Sequence, residues 1–236
     1  MTEPQSAAAA LKQAVEGVYA AFAHHRLPAV IDYCDHCVSA EANEILRTVP
    51  LRQLTIQQLQ PYAWKVMTTW GGDADFRHFL PRIFEHLAAG EIWNTEGVIR
   101  KAAIYGAEWT PAEWAAIDEF LDAWWSATLA TYPAPAPAPH VLEVLADRGG
   151  DPWRYLTLWD DQAGEPSVRH LADVMRDHAQ STETDEHWSR RVREWIAGGV
   201  PARILEAATL KATDPKIAAE ISQAYEYAAW SQRRYA

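Results

Sequence analysis

The chain has 236 residues, 49% of them apolar and 22% charged, a balance that supports a globular core of one large domain or two small ones. Its formal charge of −11 disfavours nucleic acid and anionic membrane as partners, since both demand clustered Lys and Arg. No stretch approaches the roughly 18 apolar residues of a membrane span, the N-terminus carries neither a basic stretch nor an apolar signal core, and two cysteines build no disulfide framework; the expected location is the cytoplasm.

Helix signals recur along the chain and strand signals do not. Leu11, Val15, Val18 and Phe22 share one helical face, and Pro28 closes that segment. Cys34-Asp35-His36-Cys37 follows in an irregular stretch. Ser39 is placed to cap a helix through Arg47, with Pro50 after it. Thr55 and Gln58 have capping-box spacing, and Pro61 predicts a short turn followed by a helix from Pro61 to Trp70. Gly71-Gly72 ends that helix. Asp73 or Asp75 opens the next one, which Pro81 is expected to kink or divide.

The strongest local signal is Thr110-Pro111-Ala112-Glu113, an N-cap, an N1 proline and an N3 glutamate. Trp109 and Trp114 flank it at the positions of a hydrophobic staple. The apolar face continues through Ile117, Leu121 and Trp124. Residues 133–139 alternate proline with alanine, which predicts an extended spacer.

Beyond the spacer, Asp151-Pro152 and Asp214-Pro215 are both N-cap/N1 pairs. Leu142-Glu143 and Leu205-Glu206 precede them by the same interval, a hint of a repeated helix–turn–helix unit. Trp188, Val192 and Trp195 mark one further amphipathic face, and Ile217, Ile221 and Tyr225 another. The twelve tryptophans fall mostly at helical spacing and read as packing wedges between helices. The expected fold is all-α, about ten helices in antiparallel hairpins, with a short helical-repeat-like stack as one arrangement of them. The expected units are residues 1–131, a Pro/Ala linker at 132–139, and residues 140–236.

Two regions concentrate reactive groups. Cys34 and Cys37 have the spacing of a shared metal or a redox pair, and packed thiols are the plain alternative. A structural zinc would need two more ligands, and His24, His25, His36 and His78 are the nearby imidazoles in sequence. The candidate ligand set is Cys34, His36, Cys37 and His78. The second region holds Asp73, Asp75, Arg77, His78 and Arg82. On a helix, Asp75, His78 and Arg82 form one stripe opposite Phe76, Leu80, Ile83 and Leu87, so a carboxylate could orient the imidazole. His170 with Asp173 and Glu183 with His187 have metal-compatible spacing of a weaker kind. No P-loop, dinucleotide fingerprint, nucleophile elbow or His-Glu-x-x-His motif occurs.

The segments Cys34-Asp35-His36-Cys37, Pro50-Leu51-Arg52-Gln53-Leu54, Thr69-Trp70-Gly71 and Asp75-Phe76-Arg77-His78-Phe79-Leu80-Pro81-Arg82 together resemble a family of bacterial all-helical proteins. The resemblance covers about the first ninety residues. It implies a helical protein and carries no activity, cofactor or catalytic residue. Acidity, abundant tryptophan and the missing catalytic motifs point to a non-enzymatic protein that binds a protein partner, a basic one by charge. The alternative is a metal-dependent enzyme, with zinc as the metal, whose site joins the Cys34–Cys37 segment to Asp75 and His78.

Overall fold

A computed structural model describes residues 3–92, 97–148, 152–161, 164–180 and 186–235. Among the described residues the chain forms twelve α-helices and no strand. They are α1 (Glu3–Phe22), α2 (Ala40–Thr48), α3 (Ile56–Lys65), α4 (Asp73–Ala88), α5 (Val98–Tyr105), α6 (Pro111–Ala130), α7 (Ala138–Asp147), α8 (Trp153–Asp161), α9 (Glu165–Gln180), α10 (Glu186–Ala197), α11 (Val200–Lys211) and α12 (Pro215–Tyr235). None is long and apolar enough to cross a membrane.

The chain divides into two compact units. One is Ala8–Trp124 with Asp147–Gly149; the other is Met1–Ala7, Trp125–Ala146 and Gly150–Ala236. The division falls inside α6, between Trp124 and Trp125, and upstream of the proline tract.

In the first unit, Val15, Val18 and Phe22 of α1 are buried, as their spacing predicts, while Leu11 of the same face is half-buried. Phe76, Phe79, Leu80, Ile83 and Phe84 of α4 are fully buried, as are Ile117, Phe120 and Leu121 of α6. Phe84 stacks on Phe120 at 4.6 Å, so α4 and α6 face each other through aromatic rings. Ser39 caps α2 by accepting the Ala42 N–H at 3.1 Å. In α3 the expected order is reversed. The Thr55–Gln58 box starts the helix at Ile56, Pro61 lies inside it, and the helix ends at Lys65 rather than Trp70. A proline one turn beyond the cap removes a single backbone bond, a loss that burial of Leu59, Tyr62 and Ala63 offsets. Pro81 likewise does not divide α4, which is continuous over 16 residues.

The second unit is built on buried tryptophans. Trp125 meets Trp159 edge-on at 4.9 Å, and Trp159 stacks on Trp195 at 5.6 Å. Two of these buried indole N–H groups find backbone acceptors. Trp125 donates to the Tyr155 carbonyl at 3.0 Å and Trp159 to the Ser167 carbonyl at 2.8 Å. That satisfaction lets such large amphipathic rings be buried without an orphaned donor. The helices α9, α10 and α11 pack on α12, whose start is capped by Asp214. The buried stripe of α12 is Ile221, Ala224, Ala228 and Ser231, with Ile217 and Tyr225 at its margin. The proline tract is irregular through Pro137, and α7 begins at Ala138. Pro139 therefore sits in a helical first turn, which asks for no N–H donor there. Trp188, Asp151 and Glu183 with His187 lie outside the residues or side chains described.

The capping box of α6 is formed. Glu113 accepts the Thr110 N–H at 2.6 Å, and Thr110 Oγ1 accepts the Glu113 N–H at 3.2 Å. The flanking Trp109 and Trp114 stack at 5.2 Å. Thr110→Ala is expected to cost about 1 kcal/mol of stability. Urea unfolding at neutral pH measures it, and an unchanged midpoint contradicts the cap.

Candidate functional site

Two chain turns bring titratable side chains together in the first unit. The helix α1 ends at Phe22, and a turn follows in which the His25 N–H bonds the Phe22 carbonyl at 3.0 Å. That turn presents His24 and His25 side by side, their rings 4.0 Å apart. The ring of His25 also packs 5.7 Å from Phe22, which in turn meets Trp109 edge-on at 5.3 Å. Both histidines point to Glu113 in the first turn of α6. The His25 Nε2 hydrogen-bonds Glu113 Oε1 closely, and His24 Nε2 lies 3.7 Å from the same oxygen. The other oxygen, Oε2, is occupied by the Thr110 N–H and hydroxyl.

Glu113 is 1% exposed, His25 16% and His24 62% by side chain, so the cluster runs from a buried carboxylate out to solvent. Burial pushes the Glu113 carboxyl up, but the His25 and Thr110 hydrogen bonds outweigh it and hold the group below its ordinary range. The His78 ring nitrogen Nδ1 bonds the His25 carbonyl at 3.0 Å and so fixes the backbone that carries the cluster.

The expected Asp75–His78 arrangement is not built. Asp75 is buried, accepting the Tyr62 hydroxyl at 2.6 Å and the Gly72 N–H at 3.0 Å. Gly71 adopts φ +73°, and a Cβ there would lie 1.9 Å from the Asp75 carboxylate, so only glycine fits. Burial, then the Asp75 carboxylate, drive the Tyr62 phenol well above its ordinary range. The Gly-Gly-Asp density is therefore a turn closed by a buried phenol–carboxylate pair.

The remaining charged residues of α4 are also engaged with the framework. Asp73 accepts the Trp109 indole N–H at 3.1 Å and pairs with Arg77 at 2.6 Å. Arg82 donates to the Leu54 carbonyl at 2.8 Å and to Glu85 at 2.6 Å, and Glu85 accepts the Tyr19 hydroxyl at 2.7 Å.

Residues 32–34 run beside 69–71, with the Cys34 N–H on the Thr69 carbonyl at 2.9 Å and the Gly71 N–H on the Asp32 carbonyl at 2.7 Å. Cys34, Asp35 and His36 have ligand atoms within 4.8 Å of one another, a group that includes neither His78 nor Asp75. Both cysteines are free thiols. The Cys37 thiol, then the His36 backbone, lower the Cys34 pKa, and the shared bond raises that of Cys37. In the second unit, His170 is buried with its ring on the Thr131 carbonyl at 2.9 Å. Its neighbour Asp173 accepts the Tyr132 hydroxyl at 3.0 Å. That pair anchors the turn ahead of the proline tract.

The chain matches no protein-family model, and no curated protein or solved structure is similar to it. The His24–His25–Glu113 cluster was not picked out by spacing. Its sequence signals are an adjacent histidine pair and a glutamate at N3 of a cap flanked by tryptophans.

Two outcomes follow from these environments. Tyr62→Phe removes one of the donors to a buried carboxylate and should destabilise by about 1–3 kcal/mol, read by denaturant unfolding. The second concerns pH. Burial holds His170 below its ordinary value of 6.5, so the unfolded chain takes up a proton that the folded chain refuses. Stability is full above 6.5 and declines as pH falls through that value. Glu113 is depressed below 4.5, so its contribution is present above 4.5 and lost as pH falls further. Thermal midpoints measured from neutral to acid pH should fall in two stages, and His170→Gln should flatten the upper one. An unchanged upper stage in that variant contradicts the assignment.

Proposed function

We propose that the chain is a non-enzymatic helical binding protein that docks a basic protein partner on an apolar surface formed by Trp64, Ile104 and Tyr105. The observation that supports this reading is the exposure of those three side chains at 50%, 61% and 44%. Lone exposed apolar residues are ordinary, but a lysine ties together the two helices that carry these three. Lys101 of α5 reaches to the end of α3 and donates to the Trp64 carbonyl at 2.9 Å and the Ala63 carbonyl at 3.2 Å. Ile104 and Tyr105 lie one helical turn beyond Lys101, on the same side of α5 as the lysine that reaches the end of α3.

Aromatic anchors ringed by polar surface are the side chains that carry most interface energy. The net charge of −11 favours a basic partner through encounter rate and exclusion of acidic competitors. The enzymatic alternative loses its support, because Asp75 is consumed by Tyr62 and Gly72 while His78 holds the His25 carbonyl.

A photo-crosslinking residue at position 64, introduced in the full chain in its own cells, tests the surface. The expected result is one dominant protein adduct whose yield falls with added salt and on Ile104→Lys, with circular dichroism unchanged. Adducts that persist in Ile104→Lys, or the absence of any, overturn the reading.

A further inference from the structure

We propose that His24, His25 and Glu113 form a three-ligand site for a divalent transition metal, zinc by donor set, with a fourth position open to solvent. Three features carry it. First, the ligand atoms converge: one ring nitrogen of each histidine and one carboxylate oxygen all lie within 4.8 Å of one another. Tetrahedral zinc with bonds of about 2.0–2.2 Å spans its ligands at roughly 3.3–3.5 Å, so an outward shift of the His25 ring from Glu113 admits the ion. Second, the two Glu113 oxygens are divided. Oε2 is held by two donors from Thr110, and Oε1 faces the two histidines. Such an outer shell orients a ligating carboxylate before the metal arrives. Third, the cluster is graded from a buried carboxylate to an exposed imidazole, which leaves an entry path and a coordination position on the His24 side.

Two imidazoles and one carboxylate suit zinc among borderline metals, and a three-ligand protein set leaves room for water or an anion. The competing account is a plain ion pair in which Glu113 staples the turn after α1 to the start of α6. In that account His24, the exposed member, has no role.

Zinc titration by calorimetry of the full chain, stripped with chelator and then freed of it, decides between them. The expected result is one zinc per chain in wild type. His24→Ala, His25→Ala and Glu113→Gln each weaken it by more than the roughly tenfold to hundredfold that loss of an outer-shell partner costs. The double variant C34S/C37S serves as the control for the Cys34–Asp35–His36 group and should bind as wild type does. His24→Ala is the deciding variant, because an exposed ring can be removed without unfolding the chain. Zinc binding unchanged in His24→Ala, binding lost in C34S/C37S, or no binding at millimolar zinc each overturns the proposal.

Discussion

A carboxylate that is almost wholly withdrawn from water must be satisfied on both oxygens, and Glu113 is where this constraint organises the first unit. One oxygen closes the cap of α6, so the helix starts where the side chain needs donors. The other draws in the turn after α1, which carries His24 and His25. His78 then ties that turn to α4 through the His25 carbonyl. Three helices are thereby referred to one buried charge. Stacked Trp109 and Trp114 cover the cap, leaving no room for a side chain at Gly106, where a Cβ would lie 2.5 Å from the Trp114 ring.

The same accounting explains why a segment dense in Gly, Asp, Arg and His carries framework rather than chemistry. Asp75 performs two tasks, holding the N-terminal turn of α4 and accepting a buried phenol. Asp73 and Arg77 bind each other beside Trp109, and Arg82 holds the Leu54 carbonyl. Reactive residue types at helical spacing are also the types that satisfy orphaned backbone and indole groups. Only the identity of their partners separates the two uses.

The second unit solves a related problem with aromatic rings. Its tryptophans supply volume between helices, and backbone carbonyls near helix starts receive the N–H groups of Trp125 and Trp159. His170 and Tyr132 do the corresponding work at the turn before the proline tract, their rings 4.8 Å apart. Large rings with satisfied polar ends let short helices pack without any strand.

Local features were legible in the sequence. The all-helical class followed from periodicity, and the starts of α2, α6 and α12 from Ser39, Thr110 and Asp214, because a cap is written within four residues. The irregular backbone of the proline tract followed from the missing N–H groups. The place of a proline within a helix was not legible. Pro61 and Pro81 read as breakers, yet tertiary burial on either side outweighs one lost backbone bond apiece. Nor were the partners of the charged groups. His25 and Glu113 are 88 positions apart and Asp75 finds a tyrosine thirteen residues earlier in the chain, whereas spacing alone had paired Asp75 with His78. Helical periodicity names the residues that share a face; what that face meets is decided by packing between distant elements, which no local pattern records.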